Sequence, residues 1–84
     1  AVTVTVYTTP LCMGCRMTTK HLDKHRVPYR LVDVTQDPAA GDRIRGLGYQ
    51  SAPVITVDLP DGLDHWDGYR PDRLDALAYL KKGA

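Results

Sequence analysis

The sequence contains no phenylalanine, no glutamate and only two cysteines among its 84 residues. Two cysteines cannot supply the several cross-links of a small secreted, disulfide-stapled domain, so they favour a reducing compartment. No apolar run approaches the roughly 20 residues that span a bilayer, and the N-terminus shows no basic segment followed by an apolar core. We therefore expect a cytoplasmic protein without a membrane segment or a signal peptide.

An excess of charge is also lacking, since the net charge is only +1 and the cations are distributed among the acids. This balance disfavours nucleic-acid binding, which requires a concentrated basic surface. All ten acids are aspartates, and none occurs before Asp23, so no carboxylate near the N-terminus opposes a thiolate there. The length, with 43% hydrophobic and 25% charged residues, predicts one monomeric globular domain over residues 1–84.

The hydrophobic pattern predicts seven elements in the order βαβαββα. β-Branched residues favour a strand over residues 2–7, and a helix is predicted over residues 13–25 with an inner stripe at Met17, Thr18, His21 and Leu22. The next predictions are a strand over 29–34 and a helix that begins with Asp37 as N-cap and Pro38, runs to about 47 and stops at Gly48. A strand over 54–57 is followed by a turn and a returning hairpin strand that contains His65-Trp66. The last helix is predicted to begin at Pro71, with inward side chains at Leu74, Leu77, Ala78 and Leu80.

These elements predict an α/β fold. Strands that are joined through a helix are expected to be parallel, whereas the last two strands form a hairpin. A four-stranded mixed sheet flanked by three helices is the compact solution.

The two cysteines form the most informative motif, Cys12-Met13-Gly14-Cys15, between a predicted strand and a predicted helix. The loop that they close is too small to restrain much chain entropy, so the pair favours redox cycling over a structural cross-link. Unpaired amides and the helix dipole favour an anion at Cys12, with Arg16 one turn further on. We expect Cys12 to be the more acidic thiol and the nucleophile, and Cys15 to resolve the mixed disulfide.

Zinc is the main alternative, because Cys12, Cys15, His21 and His25 provide two thiols and two imidazoles. A Cys2His2 finger has about 12 residues between its pairs, whereas five separate Cys15 from His21 here. Continuous helix would also turn His21 away from Cys15. We expect no metal site, and a metal- or cluster-binding module on the same cysteines remains the alternative from another functional class.

The segment Trp66-Asp67-Gly68-Tyr69-Arg70-Pro71 lies where the hairpin ends and the last helix begins. A structural role at the core edge is reasonable for Trp66. For Tyr69 and Arg70, at an exposed helix entrance, contact with a partner is at least as reasonable.

Together these segments resemble the NrdH-redoxins, small glutaredoxin-like proteins of the thioredoxin superfamily. The resemblance covers residues 4 to 80. It rests on Val6-Tyr7-Thr8, Pro10, Cys12-x-x-Cys15, Leu47-Gly48-Tyr49, Ala52-Pro53-Val54 and Trp66-x-Gly68-Tyr69-Arg70-Pro71.

The resemblance implies a thioredoxin fold with sheet order 2-1-3-4. It implies a protein disulfide reductase that donates electrons to class Ib ribonucleotide reductase and is itself re-reduced by NADPH-dependent thioredoxin reductase. No cofactor is implied beyond a redox-active Cys12–Cys15 disulfide. A cis-proline is implied at Pro53, which with Ala52 shapes a groove for an extended peptide. The expected partner contacts are Met13, Gly14, Trp66, Asp67, Gly68, Tyr69 and Arg70.

A glutathione-dependent glutaredoxin is the alternative within redox chemistry. Glutaredoxins of that type usually carry Cys-Pro-Tyr-Cys, a lysine shortly before it and a Gly-Gly-x-Asp segment near the last helix. This chain has Met13-Gly14, Thr9 and Asp67-Gly68-Tyr69-Arg70 at those places, so the side chains that grip glutathione are missing.

The chain also departs from the NrdH-redoxin pattern. NrdH-redoxins often have lysine at the position of Thr9 and serine at that of Asp67, and the loop over residues 59–64 looks slightly long. We hypothesise that Asp67 lies near the dithiol and modulates proton transfer or partner choice.

Overall fold

The computed structural model describes the backbone of residues 3–83 and the side chains of residues 3–79. It confirms the predicted element order βαβαββα. The predicted strand start at residue 2 and the inward position of Leu80 lie outside the described residues. None of the helices described is long and apolar enough to cross a membrane. The elements are β1 (Thr3–Thr8), α1 (Met13–Lys24), β2 (Arg30–Asp33), α2 (Pro38–Gly46), β3 (Val54–Leu59), β4 (Gly62–Asp67) and α3 (Pro71–Gly83).

The four strands form one mixed sheet in the order β2-β1-β3-β4, as predicted. Strand β1 is parallel to β2 and antiparallel to β3, and β3 is antiparallel to β4. In this register Tyr7 pairs with Val54, which in turn pairs with Asp67. The loop after β1, the loop before β3 and the end of β4 therefore meet at one end of the sheet.

The larger core cluster joins the sheet to α1 and α3. Strand β3 contributes Ile55 and Val57, α1 contributes Leu22, and α3 contributes Leu74 and Leu77. A smaller cluster forms where α2 packs against the sheet, with Ile44 and Ala40 beside Tyr7 and Val54. The sheet thus has helices on both faces, and α1 is held firmly behind the loop that carries Cys12.

The buried face of α1 is centred on Cys15, Thr18 and Leu22. Met17 is 48% exposed, so its predicted inward position is wrong. The physical reason is that the helix turns Cys15, rather than Met17, toward the sheet, and His21 is left half-buried at the edge of the buried face. The Thr18 hydroxyl donates a hydrogen bond to the Gly14 carbonyl at 2.7 Å, which satisfies a polar group in this buried position.

The other helix and turn signals agree with the structure. Helix α2 begins after Asp37, whose carboxylate accepts a hydrogen bond from the Ala40 amide at 3.3 Å. Strands β3 and β4 are longer than the sequence indicates, because Leu59 pairs with Gly62. Only Pro60 and Asp61 connect these strands, so most of the segment over residues 59–64, which looked slightly long beside the NrdH-redoxin pattern, belongs to the hairpin strands.

Candidate active site

Cys12 and Cys15 form a disulfide at the start of α1, with their Cα atoms 5.2 Å apart. Cys12 is the N-cap of the helix and has extended backbone angles. Its Sγ accepts a hydrogen bond from the Cys15 amide at 3.1 Å. Cys12 is half-buried, whereas Cys15 is 4% exposed. The two sulfurs are therefore inequivalent, and Cys12 is the one that another protein can reach.

The surroundings of the pair favour a negatively charged sulfur at Cys12. The helix N-terminus directs unpaired amides and the positive end of the helix dipole toward it. A shallow concave surface lies beside the disulfide, and of the described residues that line it one is a cation, Arg16, and none is a carboxylate. The lining residues are Thr8, Thr9, Leu11, Cys12, Cys15, Arg16, Thr19 and Leu31.

Pro53 faces the cysteine motif from the loop before β3. The Ala52–Pro53 peptide bond is cis. Pro53 is buried, and its ring lies against Gly14 in the first turn of α1. The structure therefore brings together Cys12, Gly14 and Pro53, which the sequence separates by about half of the chain.

The end of β4 is fastened to the same loop. The Gly68 amide donates a hydrogen bond to the Pro53 carbonyl at 2.9 Å. Gly68 has a φ of +79°, a conformation that glycine adopts without a steric penalty. Asp67 precedes it, paired with Val54 and exposed to solvent. The end of β4 thus reaches the surface beside Pro53.

Trp66 differs from its predicted role as a partner contact. It is 5% exposed and belongs to the larger core cluster. Its Nε1 finds no hydrogen-bond partner among the described residues, and the Arg73 guanidinium lies 5.3 Å from the centre of its ring. A ring buried in this way packs in the core beneath the segment and presents almost no surface to a partner. The prediction that Trp66 contacts a partner is therefore wrong.

Tyr69 and Arg70 lie beyond Trp66 at the entrance of α3. Tyr69 is half-buried, and its hydroxyl lies 3.2 Å from Nδ1 of His21. Arg70 is exposed, and its Nε and Nη2 donate to the Asp72 carboxylate at 3.4 and 3.3 Å. The hydrogen bond from Arg70 holds the pKa of Asp72 below its ordinary value. Arg70 is thereby held at the surface beside the beginning of α3.

Three exposed apolar side chains near the disulfide complete the surface, and two of them escaped the sequence analysis. Met13 was predicted, and it is 68% exposed. Leu11 is fully exposed with a φ of +60°, and Leu31 on β2 is 58% exposed. The available signal was a leucine between Pro10 and Cys12 in an otherwise polar loop. Exposed apolar groups around a reactive sulfur are typical of a protein-docking surface.

A dithiol at a helix N-terminus, opposite a cis-proline and on this sheet, defines a thiol–disulfide oxidoreductase with the thioredoxin fold. A family model described as Glutaredoxin matches residues 4–59. The chain is 34% identical over 76 residues to the glutaredoxin-like protein NrdH of Lactococcus lactis subsp. cremoris, a match that covers 89% of this chain and 99% of that relative. It is 28% identical over 75 residues to the same-named protein of Escherichia coli K12, covering 88% of this chain and 86% of the relative.

A solved structure agrees with these matches. That structure is the glutaredoxin-like protein NrdH-redoxin from Escherichia coli, described as having a thioredoxin-like activity profile. The two folds superpose with a TM-score of 0.77 at 27% sequence identity, over 89% of this chain and 93% of the other. The chain belongs to the glutaredoxin family and, within it, to the NrdH-redoxins. The predicted resemblance, fold and oxidoreductase class are thereby confirmed.

Proposed function

We propose that this protein carries electrons from NADPH-dependent thioredoxin reductase to class Ib ribonucleotide reductase. The observation that supports the proposal most strongly is the inequivalence of the two sulfurs. Cys12 is half-buried at the helix N-cap, and Cys15 is buried behind it. The NrdH relatives and the thioredoxin-like activity described for the Escherichia coli protein support the choice of partners.

The reduced protein acts in two exchange steps. The Cys12 thiolate attacks one sulfur of the partner's disulfide, so that a mixed disulfide forms and one partner thiolate leaves. The Cys15 thiolate then attacks the Cys12 Sγ and releases the second partner thiolate. The partner gains two electrons, takes up two protons as its thiols form, and leaves the Cys12–Cys15 disulfide behind. The reductase restores the dithiol with two electrons from NADPH.

Docking uses the groove between the cysteine loop and Pro53. Ala52 and Pro53 offer an extended segment of the partner a backbone to lie against. Leu11, Met13 and Leu31 supply apolar contacts around the Cys12 sulfur. Gly14 in the first turn of α1 is a further proposed contact. At the end of β4 and the entrance of α3 the proposed contacts are Asp67, Gly68, Tyr69 and Arg70.

We also propose that the chain works as a monomer in the cytoplasm without a bound cofactor. A lone pair of cysteines that cycles between dithiol and disulfide fits a reducing compartment, where disulfides are usually transient and catalytic. An exposed docking surface around Cys12 also has to remain uncovered by a second copy.

The decisive test compares two reducing systems with the same protein. One contains NADPH and thioredoxin reductase, and the other contains NADPH, glutathione and glutathione reductase. We expect NADPH oxidation and reduction of class Ib ribonucleotide reductase only in the first system. Turnover only with glutathione would replace this proposal with a glutathione-dependent glutaredoxin.

Two controls accompany this test. Cys12→Ser is expected to give no turnover in either system, which measures the background. Metal analysis and absorbance of the reduced protein test the alternative that the cysteines bind a metal ion or cluster. Colour or stoichiometric metal in the wild type, together with its absence in Cys12→Ser, would favour that alternative.

A further inference from the structure

Three metal-ligating side chains converge where α1 packs beside α3. His21 lies in the last turn of α1, His25 is the C-cap that ends this helix four residues later, and Asp75 belongs to α3. His21 Nε2 lies 2.8 Å from Asp75 Oδ1, and His25 Nε2 lies 3.7 Å from the same oxygen. One ligand atom from each of the three residues lies within 4.8 Å of the others. The cluster therefore contains two imidazoles and one carboxylate around a single point.

The spacing suits a divalent transition-metal ion. Zinc binds imidazole nitrogen and carboxylate oxygen at about 2.0–2.2 Å, so neighbouring ligands of a tetrahedral site are about 3.3 Å apart. The two nitrogen–oxygen distances, 2.8 and 3.7 Å, bracket that value. Histidines at i and i+4 on one helix face are a recurrent zinc-binding arrangement. Three protein ligands leave a fourth position for water.

Tyr69 orients the His21 ring. Its hydroxyl lies 3.2 Å from Nδ1, the nitrogen that does not face Asp75. Metal-binding histidines usually donate their other N–H to an oxygen, which fixes the tautomer and ring orientation. In the metal-free protein Nε2 donates its proton to the Asp75 carboxylate at 2.8 Å. Metal binding requires the other tautomer, in which Nδ1 carries the proton and donates it to the Tyr69 oxygen, so that the lone pair of Nε2 binds the metal.

The cluster is accessible and separate from the disulfide. The side chain of His21 is 16% exposed and that of Asp75 is 63% exposed, so an ion can enter from the Asp75 side. His21 lies six residues after Cys15, which is roughly 9 Å along the helix axis. The cysteines are therefore not ligands of this site.

We propose that His21, His25 and Asp75 bind one divalent transition-metal ion of the class that zinc represents, with Tyr69 as the positioning residue for His21. This departs from the sequence expectation of no metal site, which considered only a quartet of cysteines and histidines. The carboxylate that completes the cluster lies 54 residues from His21 and was not part of that quartet.

The test uses zinc chloride and the oxidised protein, because a closed Cys12–Cys15 disulfide cannot supply thiolate ligands. We expect calorimetry to show one saturable zinc equivalent. We expect 15N NMR to show shifts of the ring nitrogens of His21 and His25, but not of His65. Absence of saturable binding, or shifts confined to other residues, would overturn the proposal.

Substitutions test whether zinc binding depends on these particular residues or on any histidine at the surface. His25→Gln and Asp75→Asn are each expected to weaken zinc binding at least about tenfold, and Tyr69→Phe by about 10–100-fold. His65→Gln is the matched control, because its ring contacts Tyr49 at 2.7 Å on the hairpin instead. Equal affinities in His25→Gln and the wild type, or an equal loss in His65→Gln, would contradict the assignment.

Stability provides a second readout. Zinc is expected to raise the melting temperature of the oxidised wild type in a concentration-dependent way, because it binds the folded state. At a given zinc concentration the increase is expected to be clearly smaller in Asp75→Asn and unchanged in His65→Gln. An increase in Asp75→Asn equal to that of the wild type would count against the site.

Discussion

Gly14 and Pro53 are in close contact: a Cβ atom on Gly14 would stand 3.0 Å from Pro53 Cδ. Fewer than one in ten real Cβ contacts are this short. The first turn of α1 and the proline loop are therefore fitted to a residue without a side chain. Any larger residue at position 14 has to move one of the two segments that flank the Cys12 sulfur.

We expect Gly14→Ala to lower the turnover of protein disulfides severalfold. Alanine is favoured over glycine inside a helix by up to about 1 kcal/mol, and the crowding against Pro53 offsets part of this gain. The matched control is Gly46→Ala at the end of α2, where no described atom beyond the chain neighbours and the backbone of the same helix lies within 4 Å of the added Cβ. Urea unfolding and the NADPH-coupled assay measure the two effects. Equal stability gains with unchanged turnover in both variants would contradict the role of this contact.

Replacement of each cysteine by serine is expected to stop the exchange reaction at a different step. Cys15→Ser leaves a nucleophile at Cys12 but no resolving thiol, so a mixed disulfide with a disulfide-containing peptide accumulates. Cys12→Ser is expected to form no such adduct, because Cys15 is buried. Intact-protein mass spectrometry distinguishes these outcomes. An adduct on Cys15 in the Cys12→Ser protein would reverse the assigned order of attack.

The pKa of Asp72 tests whether Arg70 and Asp72 form an ion pair at the beginning of α3. The hydrogen bond from Arg70 is the largest contribution that holds the pKa of Asp72 below its ordinary value. A lowered carboxyl pKa stabilises the fold above the unfolded-state pKa, and this contribution is lost as the pH falls through the folded-state pKa, in a window below about pH 4.

Arg70→Gln is expected to return the Asp72 pKa toward its ordinary value of about 3.9. Carboxyl 13C NMR titration measures the change. Arg73→Gln serves as the control, since the Arg73 guanidinium donates to Asp64 instead, at 3.3 Å. If Arg73→Gln shifted Asp72 as much as Arg70→Gln did, the local ion pair would not be the cause.

Trp66→Ala is expected to lower the free energy of unfolding, and not only to weaken partner binding. Removal of a buried tryptophan costs about 3–5 kcal/mol, a large share of the stability of a small domain. Tyr79→Ala is the matched aromatic control, because Tyr79 is 78% exposed and surface changes usually stay within about 0.5 kcal/mol. Denaturant unfolding measures both. A Trp66→Ala protein of normal stability with impaired partner binding would restore the contact role.

Asp67→Ser tests the hypothesis that this carboxylate influences the dithiol. Asp67 pairs with Val54, the neighbour of Pro53, and Pro53 contacts Gly14. Removing a negative charge favours a nearby thiolate, so alkylation of Cys12 is expected to be faster at a given pH, and reductase turnover is expected to change. Asp61→Ser, in the loop between β3 and β4, is the matched control. Identical alkylation rates and turnover in Asp67→Ser and the wild type would refute the hypothesis.

Local chemistry explains why much of the fold could be predicted. Asp37 and Pro38 mark the beginning of α2, and alternating β-branched residues mark β1. The cysteine spacing before a helix also identifies the reactive pair, because the argument needs only neighbours along the chain. These features depend on interactions within one turn or one strand, and such interactions are visible in a single sequence.

Long-range packing explains the errors. Whether Met17 or Cys15 faces the sheet depends on how α1 is rotated against β1 and β3, which no local pattern fixes. The burial of Trp66 depends on Leu74 and Leu77 from a later helix. The approach of Asp75 to His21 likewise results from the packing of α1 beside α3. Sequence periodicity describes each helix separately, so it does not predict such encounters.

The two outer strands of the sheet have a consequence for association. Strand β2 has only four residues, with Arg30 and Asp33 at its ends, and β4 carries Asp64 and Asp67. Short, charged outer strands discourage the backbone of another chain from extending a sheet, which is a common route to aggregation. A protein of this design can meet other proteins repeatedly and contact them through side chains at the cysteine end, while its outer strands resist backbone pairing with them.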